Sequence, residues 1–179
     1  RQLVLKVGGG WHGAQPWGLV GVSYGKQGYQ SIESEGLPGE TIHEALVTRF
    51  NDLEALQNVF QERGDEIACF IVEPVVGASG ALPAKVEYMH LARELIQKHG
   101  ALLISDEVIS GFRFCAGTAA QLYGVTPDLI TMGKIVGGGM PVAAVAGRAE
   151  VMTLAGHEGG RRVRFDGGTY SAHPASMMS

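Results

Sequence analysis

The stretch P-D-L-I-T-M-G-K-I-V-G-G-G-M-P-V-A-A-V-A-G-R, from Pro127 to Arg148, decides how the chain reads. An apolar run, Leu129 to Met132, ends in Gly133-Lys134. Ile135, Val136 and three glycines follow, and a second apolar run, Val142 to Ala146, leads away. Lys134 is a lone cation between segments that read as buried, with no acid within several residues to pair with it. Desolvation disfavours an ammonium, so such a lysine is expected to have a lowered pKa. A neutral amine in a dry pocket is what Schiff-base chemistry requires. The glycines let backbone approach a flat ligand or turn sharply. The competing reading is a surface lysine on a βα turn.

The 179 residues suffice for one domain with its own core, and 45% hydrophobic against 18% charged is a globular composition. A net charge of -4 argues against a general role on nucleic acid or at a membrane surface. The one basic cluster, Arg161, Arg162 and Arg164, lies among glycines and reads as solvated. The two cysteines, Cys69 and Cys115, form no disulfide framework, which points to a reducing, cytoplasmic compartment; Cys69 reads as a small core residue. No signal peptide is expected, and no apolar run in these residues is long enough to span a bilayer as a helix. The chain opens in a strand at Arg1-Gln2-Leu3 and stops at Ser176-Met177-Met178-Ser179 as if entering a helix, so an internal fragment of a larger protein is expected.

Strands are expected at Leu3 to Val7, Ile67 to Val72, Ala101 to Ile104, Leu129 to Met132 and Val142 to Ala146. Residues 14–46 read as irregular, either a lid or disordered. A first helix carries Leu53, Leu56, Val59 and Phe60 on one face; Asn51 and Glu54 have the spacing of a capping box, and Gly64 ends it. A second helix spans residues 84–99, with Gly100 after its end, and a short one spans Ala119 to Tyr123. Strands alternating with helices, and apolar on both faces, imply an α/β fold with a mainly parallel sheet and helices on both faces.

Glu73, Asp106 and Lys134 each follow one of the buried strands. Ligands of open parallel sheets bind outside the carboxyl ends of the strands, so these three side chains are expected to converge there. A carboxylate such as Asp106 needs a cationic partner. That partner is either Arg113 or the protonated ring nitrogen of a bound cofactor, which the carboxylate would keep protonated as an electron sink. Val108, two residues on, points to the same side and could pack on a flat ring. Trp11, in G-G-W-H-G, could simply cap a hydrophobic edge, and His12 could be a structural hydrogen-bonder. With no H-E-x-x-H and no cysteine cluster, no metal site is expected. The glycines at 137–139 lack the lysine and hydroxyl of a phosphate loop.

D-E-V-I-S-G-F-R (106–113), G-K-I-V-G-G-G-M-P (133–141) and G-G-T-Y-S-A-H-P (167–174), with G-G-W-H-G and I-V-E-P-V-V-G in the same order, resemble the class III aminotransferases. These are pyridoxal-phosphate enzymes of fold type I, and the resemblance is greatest to the glutamate-1-semialdehyde 2,1-aminomutase branch. It implies that residues 1–179 are part of the cofactor-binding large domain, with the phosphate cup upstream and a small C-terminal domain beyond. Lys134 would carry the cofactor as a Schiff base and shuttle the proton. Asp106 would pair with the pyridine nitrogen, Val108 would pack on one ring face, and Trp11 would take the place of the family's stacking tyrosine or phenylalanine, followed by His12. Glu73 would support the site, and Thr169 would contact the cofactor phosphate of the neighbouring subunit in a homodimer. The irregular stretch around Gly28 to Gly39 falls where the aminomutases carry a lid. The implied activity is amino-group transfer on a small amine or amino acid. A racemase on the same scaffold and a catalytically inactive fragment are the alternatives.

Overall fold

In the computed structural model, residues 1–26, 28–32, 34–155 and 173–178 are described. A six-stranded sheet organises them: β1 (Leu3–Val7), β2 (Ala45–Thr48), β3 (Ile67–Val72), β6 (Leu102–Asp106), β7 (Leu129–Met132) and β8 (Ala144–Gly147) run in the order β2-β1-β3-β6-β7-β8. A short antiparallel pair, β4 (Val75–Val76) and β5 (Leu82–Pro83), stands apart from it. Every pairing in the sheet is parallel except β8 against β7. The α/β fold with a mainly parallel sheet is therefore as expected. β8 is antiparallel and starts two residues later than its apolar run suggests. β2 begins at the end of residues 14–46, which read as irregular, and runs on to Thr48. Its four residues carry no alternation strong enough to announce an edge strand. The same span holds a 3-10 turn, Pro16–Leu19, and a one-turn helix, α1 (Gly39–Ile42).

The two long helices are α2 (Leu53–Arg63) and α3 (Val86–His99). Leu56 and Phe60 of α2 and Tyr88, Met89, Ala92 and Ile96 of α3 pack on Leu5, Val7, Phe70, Val72 and Leu103, one face of the sheet. The N-cap of α2 is Asp52, whose side chain accepts from the Ala55 amide at 2.9 Å, and not Asn51. Asn51 has φ 60 and uses its side chain to bridge Pro83 O and Lys85 N, so it ties the start of α2 to the start of α3 instead of capping either. Gly100, at φ 62, ends α3 in the left-handed conformation expected of it. Ala119 to Tyr123 forms a 3-10 turn. The short helices α4 (Ala149–Met152) and α5 (Pro174–Met177) complete the described elements.

On the opposite face, Val4, Cys69, Ile71, Ile104, Leu129 and Val145 line an apolar trough. Cys69 is thus a half-buried wall residue there and not part of the central core; burial pushes its thiol up to about 11, so it is not a nucleophile at neutral pH. Lys6, fully buried on this face, donates from Nζ to Gly18 O (2.9 Å) and Val20 O (2.7 Å). Those carbonyls close the turn Pro16–Leu19, which places Trp17 against the trough.

Asp128, just before β7, joins four elements. It accepts from Arg93 Nη1 of α3 (2.7 Å), from Arg148 Nη1 after β8 (2.7 Å) and from the Leu103 amide of β6 (2.8 Å). Burial works to raise its pKa, but the Leu103 amide and the two guanidiniums outweigh that and hold it below the ordinary carboxylate range. A group with a depressed folded-state pKa stabilises the fold above its unfolded pKa, and that stability is lost as pH falls through the folded pKa. Asp128→Asn is therefore expected to cost about 2 kcal/mol at pH 7 in urea unfolding. The difference from the wild type should shrink below about pH 4. A difference independent of pH would show that the ion pairs contribute nothing.

Candidate active site

The neighbouring strands β3, β6 and β7 are parallel, so the residues that follow them reach one edge. Glu73, Asp106 and Lys134 do converge there, around a cavity of about 480 Å³ that Trp11, His12 and Val108 also line. That size suits a small ligand.

Asp106 is the last residue of β6 and is buried. His12 Nδ1 lies 2.8 Å from its Oδ2. Its Oδ1 accepts from Thr131 Oγ1 (3.0 Å) and from the Val108 amide (3.2 Å). Burial pushes the carboxyl up, but the hydrogen bond and charge of His12, the Val108 amide and the Thr131 hydroxyl prevail and hold it below the ordinary range. Arg113 is not its partner: the Arg113 guanidinium donates to Ile109 O at 2.8 Å, one turn away along its own segment. A carboxylate offers about four acceptor positions, so one remains on Oδ2. The His12 side chain is inaccessible to solvent, and with its Nδ1 hydrogen directed at Asp106 its Nε2 has no partner among the described residues.

Lys134 sits beyond the buried layer. β7 ends at Met132, Gly133 carries the chain outward, and Lys134 opens a 3-10 turn, Lys134–Gly137. Its side chain lines the cavity but is solvent-exposed, so the expected desolvated ammonium is not found; the strand stops two residues too early to bury it. Its φ of 50 is left-handed, a conformation that costs a residue with a Cβ about 1 kcal/mol or more.

Trp11 stands at the cavity rim, 43% exposed. Glu73 fixes its backbone: Oε1 accepts the Trp11 amide and Oε2 the Gly77 amide, each at 3.0 Å. Glu73 therefore does more than end a strand. Gly9, at φ 84, is pressed by Ser79, whose hydroxyl donates to Gly9 O at 3.0 Å; a Cβ on Gly9 would fall 2.2 Å from that hydroxyl. Thr131, Trp17 and Ile109 also line the cavity and were not singled out from sequence. Thr131 had one readable signal, a polar residue inside an apolar strand with the parity of Leu129. Thr169 and Arg161, Arg162 and Arg164 lie outside the described residues. Among the described residues, no cluster of His, Cys, Asp and Glu could hold a metal ion.

The aminotransferase class-III family matches residues 1–178. Among curated proteins, the chain is 40% identical over 179 residues to a glutamate-1-semialdehyde 2,1-aminomutase of Caldivirga maquilingensis, covering 100% of this chain and 41% of that protein. It is 43% identical over 177 residues to the protein of the same name from Methanosphaera stadtmanae, covering 99% and 41%. Among solved structures, an omega-transaminase from Sphaerobacter thermophilus superposes with a TM-score of 0.91 at 35% identity, over 99% of this chain and 42% of that one. A transaminase with PLP bound superposes with a TM-score of 0.90 at 33% identity, over 99% and 41%. The chain thus spans about two-fifths of the curated relatives it matches. The order of its motifs, its parallel sheet and these likenesses agree: the chain belongs to the class-III aminotransferase family.

Proposed function

We propose that this chain is part of the cofactor-binding large domain of a pyridoxal-phosphate enzyme that moves an amino group on a small amine or amino-acid substrate. The observation that carries this reading is the Asp106 carboxylate, held anionic by His12, Val108 and Thr131 with one acceptor position left, in the same cavity as Lys134. The residues fit the cofactor: an accessible primary amine, a carboxylate free to take one more N–H, and apolar surface from Val108 and Trp11 in the same cavity. When bound, pyridoxal phosphate supplies an electron-withdrawing ring that stabilises negative charge at the substrate carbon losing its proton.

Each residue then has a task. Lys134 Nζ would hold the cofactor covalently and would move the proton at the substrate carbon. Asp106 would hold the proton on the ring nitrogen. His12 keeps Asp106 oriented and anionic. Val108 and Trp11 would flank the ring, and Glu73 keeps the Trp11 loop in place. Thr169 is proposed, on the family resemblance, to bind the phosphate across a homodimer interface. The free cysteines are consistent with a cytoplasmic enzyme. Among the described residues, no helix is long and apolar enough to cross a membrane. The curated relatives favour an aminomutase, which keeps the amino group on one substrate, and the structural neighbours favour transfer to a second keto acid. Consumption of added pyruvate or 2-oxoglutarate by the longer enzyme separates the two.

Borohydride reduction of the chain with pyridoxal phosphate is expected to leave a pyridoxyl group on the Lys134 peptide, read by mass spectrometry. No label there, in a folded chain, refutes the reading. In the longer enzyme, Lys134→Ala should lower the rate by about 10³-fold or more. The Asp106 carboxyl, followed by ¹³C NMR, should titrate below the ordinary carboxylate value of about 4. His12→Ala should move that titration up, because it removes the donor and positive charge that pull it down. An unmoved titration would mean that His12 does not maintain the charge of Asp106.

A further inference from the structure

Between Asp106 and Val108, which both face the cavity, stands Glu107, which points the other way. Strand alternation puts it on the same side as Ser105, the helix-covered face. Glu107 is 1% exposed. Oε1 accepts from Ser105 Oγ (3.0 Å) and the Ala120 amide (2.9 Å); Oε2 accepts from Ser110 Oγ (2.5 Å) and the Ala119 amide (2.9 Å). Its backbone is held as firmly: the amide donates to Thr131 O (2.9 Å), and the carbonyl accepts the Gly111 amide (2.8 Å). One side chain therefore joins the tip of β6, the turn after it and the start of the turn Ala119–Tyr123.

Burying a carboxylate is costly unless its oxygens are satisfied. Here four donors converge on two oxygens. A carboxylate accepts all four, whereas an amide in its place would set its NH2 against the Ala119 or Ala120 amide, which can only donate. The arrangement has a consequence on the opposite face. Val108 N–H is one of the donors to Asp106 Oδ1, at 3.2 Å, and the place of that amide depends on the turn that Glu107 anchors. We infer that Glu107 is a positioning residue for the cofactor site, fixing Asp106 and Val108 in their relative places through the hydrogen bonds it accepts from Ser105, Ser110, Ala119 and Ala120. This rests on the reading of the cavity as a pyridoxal-phosphate site.

The test compares wild type with Glu107→Gln in the full chain by three measurements: the Asp106 titration without cofactor by ¹³C NMR, the Kd for pyridoxal phosphate from absorbance, and the urea midpoint. In the folded variant, the Asp106 titration should move up toward the ordinary carboxylate value. Affinity should fall about tenfold, the usual scale for loss of a group that orients a ligand's direct partner. A lowered urea midpoint with unchanged affinity and an unchanged Asp106 titration would overturn the inference, leaving Glu107 a role in the fold alone. If wild type binds no pyridoxal phosphate, the reading of the cavity fails, and the Asp106 titration still decides the positioning role: a shift supports it and no shift overturns it. If Glu107→Gln does not fold, Ser110→Ala removes one of the four donors. It should weaken affinity about threefold and move the titration in the same direction, and no change in either overturns the inference.

Discussion

The contact between His12 and Asp106 is the constraint around which the cavity is built. His12 comes from the loop after β1 and Asp106 from the end of β6, with β3 between them. To meet at 2.8 Å, both must extend beyond the carboxyl edge of the sheet, and the loop between Val7 and His12 must pass over the end of β3. Glu73, at that end, takes up the loop's Trp11 amide. The glycines at 8–10, the clamp of Ser79 on Gly9 and both carboxylate oxygens of Glu73 serve the same crossing. The imidazole gains a fixed hydrogen-bond partner, and the carboxylate gains a reason to remain ionised in a buried place.

Two buried aspartates show what separates a structural carboxylate from a candidate functional one. Asp128 stands at the amino end of β7 and is met by two guanidiniums and an amide. Its charge is neutralised within the chain, and its role ends with holding α3, β6 and β8 together. Asp106 stands at the carboxyl end of the neighbouring strand, β6, and is met by an imidazole, a hydroxyl and an amide. Those donors keep it ionised without a guanidinium or ammonium against it. A cationic group entering the cavity would find that charge and an open acceptor position. The sheet polarity sets the division, because ligands reach the carboxyl edge and the packing of strands and helices occupies the other.

Much of this was legible in sequence. Continuous apolar runs ending in single polar residues revealed both the parallel strands and the convergence of Glu73, Asp106 and Lys134, because both follow from strand period and sheet polarity. What escaped was set by tertiary context. Asn51 and Asp52 are equally good caps by composition, and the choice fell to Asp52 because Asn51 is occupied by the start of α3. Four residues gave β2 no period to read. Lys134 was expected to be dry because its flanks are apolar, but apolar flanks bury a side chain only while the strand continues, and β7 stops at Met132.

Lys134 also shows how the chain distributes backbone strain. In the turn after β7, left-handed φ values occur at Gly138 (56), Gly139 (102) and Lys134 (50). Two of the three fall on glycines, where the conformation costs little. The third falls on a residue with a Cβ, where a glycine would relieve about 1 kcal/mol or more. A lysine used only for solubility gains nothing from such a position, since any neighbouring surface site would serve without strain. The cost is understandable if the amine must project into the cavity from this point on the backbone. The left-handed residue turns the chain away from the sheet immediately after Gly133, and its side chain still lines the cavity alongside that of Asp106. Local conformation, cavity geometry and the chemistry of an amine beside a fixed carboxylate thus account together for a residue that stability alone would have replaced.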